Sequence, residues 1–472
     1  MTGRRVTIWT FVVTSVAAFM VSLDNLVVTM ALPSIRAGLH AGLSELEWTV
    51  NAYTLGFAVF LLTGAALGDR FGRRRVFTAG LAVFTVASAA AALAPNVELL
   101  VLARAIQGIG AATVLPLSLT LLSAAVPAER RGAALGVWGG VSGLGVAVGP
   151  LVGGAVVQGA AWQWIFWLNV PIGLIAVPIA WRRLAESRGG ARRLDVVGVG
   201  LASVGLAGLV DGVIRGNAHG WTSTGVLGPL VAGAVLLGAF IAWEQRTAEP
   251  MLPLQLFGNR SFAAVNVASL LFSFGMFGAI FLLAQSLQLV NGYGPFGAGL
   301  RTLPWTAMPL LVAPIAGPLA DRIGGRPLIV TGLALMAGGL GWMAAVIGVG
   351  TSYASLVAPF VLAGLGMSLF FVPVGTVVFG SVPTAMQGVA SGANNAIREV
   401  GGVFGVAVLA SIFSARGSYG PPQAFVDGLR PAVVVGAVIV GLGAVAATFL
   451  RAKPRQAAVP ETALEGELAS VG

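Results

Sequence analysis

Residues 65–77 read Ala-Ala-Leu-Gly-Asp-Arg-Phe-Gly-Arg-Arg-Arg-Val-Phe, and the pattern returns at 317–326 as Gly-Pro-Leu-Ala-Asp-Arg-Ile-Gly-Gly-Arg. Asp69 falls on Asp321, Arg70 on Arg322 and Gly72 on Gly324 at a constant offset. Each copy sits between two apolar runs, so each reads as a tight, charged turn between membrane-spanning helices. The glycine permits a sharp bend, and the arginines stay in water beside anionic headgroups. Two copies at matching places in two halves of an apolar chain point to a duplicated membrane domain.

Composition agrees. Of the 472 residues, 57% are hydrophobic and only 9% charged, too few charges to keep a chain of this size dispersed in water. The absence of cysteine excludes disulfides, thiol chemistry and cysteine-held metal or iron–sulfur centres. The net charge of +10 does not indicate nucleic acid, because the basic residues lie in short clusters beside apolar runs. All but Lys453 are arginines, a bias that fits a GC-rich bacterial genome. Arg4 and Arg5 precede an apolar run with no convincing cleavage site, which reads as a first spanning helix.

Apolar runs of about twenty residues recur along the chain, giving about fourteen expected spans. Arg70, Arg73, Arg74, Arg75, Arg130, Arg131, Arg182, Arg183, Arg322 and Arg326 all fall on one side. Only Arg36, Arg215, Arg301, Arg416 and Arg430 fall on the other, so both termini are expected in the cytoplasm. Further echoes, such as Gly108-Ile109-Gly110 with Gly364-Leu365-Gly366, extend the repeat. The expected architecture is an all-α integral membrane fold. It comprises a six-helix bundle over 1–182, a cytoplasmic linker and inserted two-helix hairpin over 183–261, a second six-helix bundle over 262–451, and a disordered cytoplasmic tail over 452–472.

Three features carry chemistry. In the fifth run, Gly145, Gly149 and Gly153 recur every fourth residue, with Gly136, Pro150 and Gly154 around them. Such spacing lines one helix face with backbone and lets another helix approach, and Pro150 favours a bend. Asp24 lies inside the first run and Arg104 inside the fourth. An ionised acid at mid-bilayer costs about 2.5–3.5 kcal/mol on insertion scales, which makes such a residue a functional candidate. At about 1.5 Å per residue Asp24 is roughly 24 Å from Ile8, and Arg104 roughly 8 Å from Leu99. In a core of about 30 Å these depths nearly coincide, so the two can interact. The repeat puts Met276 and Phe360 at the matching places of the second half, which leaves Glu399 as its candidate acid. Neighbouring helix residues point about 100° apart, so Arg398 need not pair with it.

The charged turn, its repeat and these motifs resemble the major facilitator superfamily, in particular its fourteen-spanner drug–proton antiporters, over nearly the whole chain. The turn departs from the family pattern at Ala65 and at Gly325. The resemblance implies the major facilitator fold, two pseudo-symmetric six-helix bundles plus two inserted helices. It implies a conformational lock at Asp69, Arg70, Gly72, Arg73, Asp321, Arg322 and Gly324, with Asp69 meeting the helix start near Gly388 in the outward-facing state. The fifth-run motif of Gly136, Gly145, Gly149, Pro150, Gly153 and Gly154 resembles the one that marks exporters. By the same resemblance Asp24, Arg104 and Glu399 are the proton-coupling candidates. The stretch Trp164-Ile165-Phe166-Trp167-Leu168-Asn169-Val170-Pro171 is also similar to one in this group, with an expected anchoring role.

A pocket for varied substrates needs apolar and aromatic walls with few polar groups, and Asn51, Tyr53, Gln107, Asn266, Phe274 and Gln285 are the expected linings. The expected function is proton-coupled antiport that exports drug-like or antibiotic molecules by alternating access, in the bacterial cytoplasmic membrane. Export of one endogenous metabolite and uncoupled uptake are the alternatives. ATP-driven transport is disfavoured because no phosphate-binding loop is present. Catalysis is not expected, since His40 and His219 both fall in loops. No cofactor or metal is expected. The expected partners are a small hydrophobic or cationic molecule, protons and the bilayer, with no nucleic acid and a monomeric state.

Overall fold

A computed structural model describes residues 3–189, 194–383 and 386–451. The tail over 452–472 and residues 190–193 of the linker lie outside the described residues. The first half comprises α1 (Gly3–Leu39), α2 (Leu43–Phe71), α3 (Arg73–Ala92), α4 (Val97–Ala125), α5 (Ala128–Gly159), α6 (Trp164–Trp167) and α7 (Asn169–Arg183). The inserted hairpin is α8 (Val196–His219) and α9 (Thr224–Arg246). The second half comprises α10 (Arg260–Leu289), α11 (Pro295–Thr306), α12 (Met308–Ile323), α13 (Gly325–Val346), α14 (Ala354–Gly380), α15 (Gln387–Arg416) and α16 (Pro422–Ala447). Among the described residues, 14 helical segments are long and apolar enough to cross a membrane.

Two of those spans are interrupted, which apolar runs alone did not foretell. The tenth span, Pro295–Ile323, is two helices meeting at Ala307. Pro309, at the start of α12, has no N–H to give the carbonyl four residues back, so the ladder stops there. The sixth span breaks at Leu168, just ahead of Pro171. In contrast, α5 runs through Pro150 as one continuous helix.

The two halves repeat one pairing scheme. α1 packs on α5 as α10 packs on α15, α3 on α4 as α13 on α14, and α3 on α7 as α13 on α16. The repeated charged turns share a backbone conformation: Gly72 has φ of 108° and Gly324 of 86°. An L side chain is strained there, which is why glycine occupies both.

The halves touch unevenly. At the end away from the arginine-rich turns, Phe296 N donates to Gln158 Oε1 at 3.1 Å, and Gln288 Nε2 to Met30 O at 3.1 Å. The Arg36 guanidinium lies 4.4 Å from the Tyr419 ring centroid. Thr306 Oγ1 donates to Ala147 O at 3.0 Å, and a side chain at Gly154 or Gly299 would strike backbone of the opposite half. Toward the arginine-rich end, α2 still meets α15, where Leu62 fills the space beside Gly392. Elsewhere at that end, a Cβ added at Gly136, Gly139, Gly140 or Gly143 of α5, or at Gly375 of α14, would meet nothing within 4 Å. Among the described residues the halves are joined by polar contacts at the arginine-poor end, and at the other end the face of α5 from Gly136 to Gly143 meets no opposing residue.

The hairpin rides on the seam between α2 and α15. Val210 and Ile214 of α8 pack on Val403 and Ala407 of α15, and Asn217 donates to Ser411 and Ser414. At its other end Ala202 and Phe240 pack on Val59 of α2.

Candidate functional site

Asp24, near the middle of α1, is fully buried, and Arg104 of α4 is 1% exposed. Their side chains meet at 2.5 Å, Arg104 Nη1 donating to Asp24 Oδ2. The depth count therefore succeeds in the strongest form available to it. Two amides complete the carboxylate: Gln107 Nε2 donates to Oδ1 at 2.9 Å, and Asn169 Nδ2 donates to the same oxygen at 2.7 Å. Charge-assisted bonds of this kind are roughly twice as strong as neutral ones.

The guanidinium is equally occupied. Nη1 also donates to Gln107 Oε1 at 2.7 Å, and Nε donates to the Thr49 carbonyl at 3.2 Å. Its planar face lies 4.2 Å from the Tyr53 ring centroid, a stacking contact that arginine makes without giving up its in-plane bonds. Gln107 Nε2 reaches Ser88 Oγ of α3 at 2.8 Å, and Ser88 in turn donates to the Phe84 carbonyl. One dry network thus joins α1, α2, α3, α4 and α7 around a single ion pair.

The glycine-rich face of α5 lies against this network. A Cβ at Gly145 would come within 2.7 Å of the Phe19 carbonyl, at Gly149 within 3.1 Å of Leu26, and at Gly153 within 2.5 Å of the Val27 carbonyl. The motif seats α5 directly on the stretch of α1 that carries Asp24. Gly154 and Pro150 face α11 of the other half instead, while Gly136 is open.

In the second half Met276 and Phe360 are buried and apolar at the places matching Asp24 and Arg104. Glu399 of α15 is 4% exposed, with Oε1 at 3.6 Å from Arg398 Nη2 and Oε2 unpartnered. The pairing occurs although the two are chain neighbours, because the arginine is long enough to fold back. Tyr53, stacked against the Arg104 guanidinium, places its hydroxyl 3.4 Å from the Val21 carbonyl of α1.

The six expected pocket linings are all buried in this state. Tyr53 and Gln107 belong to the buried network. Gln285 donates to Phe281 O and accepts from Tyr419. Asn266 is bound to Phe262 O and Asn394, and Phe274 is buried against α15. Asn51 is fully buried and unpartnered. Five of the six have their polar atoms or rings taken up by neighbouring helices, and Asn51 is the exception.

At the charged turn, Arg73 Nε donates to Asp69 Oδ1 at 2.8 Å, and the Asp69 carbonyl accepts from Gly189 N. Glu186 accepts from Arg74 N and lies within 3.7 Å of the Arg74 and Arg75 guanidiniums. Arg70 stacks on Phe71, and a Cβ at Gly388 would meet nothing, so Asp69 is not docked there in this state. Asn169, Ser88, Thr49 and Glu186 were missed by sequence reasoning. Asn169 was read as part of an anchoring stretch, although an amide between apolar residues and a proline was itself a signal. Among the described residues no group of three His, Cys, Asp or Glu side chains could hold a metal.

The sequence pattern of the Major Facilitator Superfamily matches residues 14–300 and 265–471. The chain is 37% identical to "Multidrug resistance protein Stp" of Mycobacterium tuberculosis, over 87% of this chain and 77% of that protein. It is 36% identical to "Tetracenomycin C resistance and export protein" of Streptomyces glaucescens, over 88% and 77%. It is 38% identical to "Cephamycin export protein CmcT" of Amycolatopsis lactamdurans, over 86% and 85%. Among solved structures, the inward-open xylose transporter XylE from E. coli superposes with a TM-score of 0.64 at 16% identity, over 96% of this chain and 98% of that one. A POT family transporter superposes with a TM-score of 0.69 at 14% identity, over 94% and 95%. With this pairing of helices, this repeated turn and these relatives, the chain is a multi-pass membrane transporter belonging to the Major Facilitator Superfamily.

Proposed function

We propose that this protein is a proton-coupled antiporter that exports drug-like or antibiotic molecules by alternating access, with its arginine-rich end in the cytoplasm. The observation that carries the coupling is the sealed Asp24–Arg104 pair with its two amide donors. A proton arriving at Asp24 removes the charge that holds Arg104. The guanidinium must then find other acceptors, and the helices it joins must shift. Because α5 rests on that same stretch of α1, and α5 also contacts α11, the shift reaches the interface between halves. In this orientation the contacts at the arginine-poor end and the uncovered face of α5 at the other support an inward-facing reading, ready to receive substrate from the cytoplasmic side. The names borne by the relatives, which speak of multidrug resistance and antibiotic export, support the direction and the substrate class.

The narrower names among those relatives favour a second reading, export of one compound rather than many. The test is substrate-driven proton movement in proteoliposomes, with a lipophilic cation, an aromatic polyketide and a cephamycin as probes. Wild type exchanges protons for at least one probe, and Asp24→Asn does not. Undiminished exchange by Asp24→Asn sinks the assignment of Asp24, and response to a single probe selects the narrow reading.

A further inference from the structure

The shut end of the molecule holds a polar pair that the Asp24 network does not use. Glu47, in the second turn of α2, is 2% exposed, and its Oε2 has no hydrogen-bond partner. Asn51, four residues on, is fully buried, and neither Oδ1 nor Nδ2 is partnered. Residues four apart share a helix face. Two adjacent side chains that are both dry and both unsatisfied are uncommon, since each loses its water without return.

Leu46 and Val50, beside them on α2, belong to one buried apolar cluster with Phe425 and Leu429 of α16, which puts this turn of α2 where the halves meet. Tyr419, in the loop between α15 and α16, is near enough for the Glu47 charge to act on it; burial first, then Glu47, push this phenol above its usual range. Among the described residues no cation pairs with Glu47. From α1, the Arg36 guanidinium stacks on the Tyr419 ring and makes no ion pair with Glu47. From the α15–α16 loop, the Tyr419 hydroxyl donates to Gln285 of α10 at 2.6 Å. On α2 itself, Glu45 accepts from Gly42 N at 2.6 Å.

We infer that Glu47, with Asn51 beside it, is a proton-binding site of the outer gate, which takes up a proton as that end closes and returns it when the end opens. This rests on the orientation and coupling given under Proposed function. With the gate open, water solvates the carboxylate. Closure strips that water and supplies no cation, and a dry carboxylate without donors is among the costliest of buried groups. A proton from external water removes the charge, and the resulting O–H can donate to Asn51 Oδ1. External acid therefore favours the shut gate and external base opens it. The site differs from Asp24, whose charge is matched and whose oxygens are filled.

The chain has no cysteine, so spin labels can be placed without background. Leu93 and Val349 are exposed at the shut end, one on each half. In the full chain carrying Leu93→Cys and Val349→Cys, distance distributions are measured from pH 5.5 to 8.5 without substrate. One linked proton changes the open-to-shut ratio by at most about tenfold per pH unit, so wild type shifts visibly toward open as pH rises. Glu47→Gln favours the shut form and has a clearly shallower profile than wild type. Glu47→Asp remains pH-dependent, and Asn51→Leu moves the midpoint by on the order of one pH unit. A wild-type profile in Glu47→Gln, or no pH response in wild type, overturns the inference. Asp24→Asn loses substrate-driven proton movement and shifts the balance of open and shut forms, yet its remaining pH response disappears when Glu47→Gln is added, so failure of the coupling assignment and failure of this one read out separately.

Discussion

Replacing Asp24 by asparagine leaves the Arg104 guanidinium in a site only 1% exposed, with its carboxylate gone. The Thr49 carbonyl and Gln107 Oε1 still accept from it, but neither carries charge. Breaking a buried pair on one side costs about 3–5 kcal/mol, because the remaining charge is uncompensated. Arg104→Met removes the cation and leaves Asp24 its two amide donors, so it costs less, about 2–3 kcal/mol. The double variant holds no unmatched charge. Its cost falls well short of the sum of the singles, and the cycle returns a coupling of about 2 kcal/mol or more. Interhelical polar contacts in membranes average only about 0.6 kcal/mol, so a coupling of that size separates a charge pair from an ordinary hydrogen bond. The assay is equilibrium unfolding of the four proteins in mixed micelles titrated with SDS, followed by loss of helix signal. A coupling below about 1 kcal/mol refutes the view that this pair is a matched, dry charge site.

Gly153→Leu drives a side chain into the Val27 carbonyl and lifts α5 from α1, destabilising by about 1–3 kcal/mol in the same unfolding assay, while Gly136→Ala, with open space around it, changes stability by less than about 0.5 kcal/mol. Equal effects at the two positions contradict the packing role of the motif. Gly299→Ala collides with the Pro150 carbonyl only while the arginine-poor end is shut, so an overpacking cost of about 1–3 kcal/mol opens that end by roughly fivefold to a hundredfold. Spin-label distances across it report the change, and an unaltered distribution removes the argument.

Much of the fold was readable because its signals are one-dimensional. Apolar length sets the spans, the offset from Asp69 to Asp321 exposes the duplication, and arginine clusters sort the loops. Depth is legible too, since a helix rises by a fixed step, and this brought Asp24 and Arg104 together. Azimuth is not legible. A helix that is apolar all round offers no contrast between the side facing a partner and the side facing lipid. Tyr53 and Gln107 were therefore assigned to a pocket wall, when rotation about α2 and α4 turns them onto the ion pair. Asn169 escaped notice for a related reason: the break at Leu168 resets the helix phase, so its direction follows from three-dimensional packing alone. Glu47 carries no signal of its own in the sequence, since a single acid near a helix start does not reveal that the fold buries it.

The position of the hairpin bears on how an oily molecule reaches the interior. The two halves have two lateral seams, and α8 covers the one between α2 and α15. On the other, α5 shows uncovered glycine backbone from Gly136 to Gly143. On the function proposed above, a compound arriving from the lipid at the arginine-rich end would meet a wall on one flank and none on the other. Under that reading the two flanks are unequal, and lateral access would be one-sided.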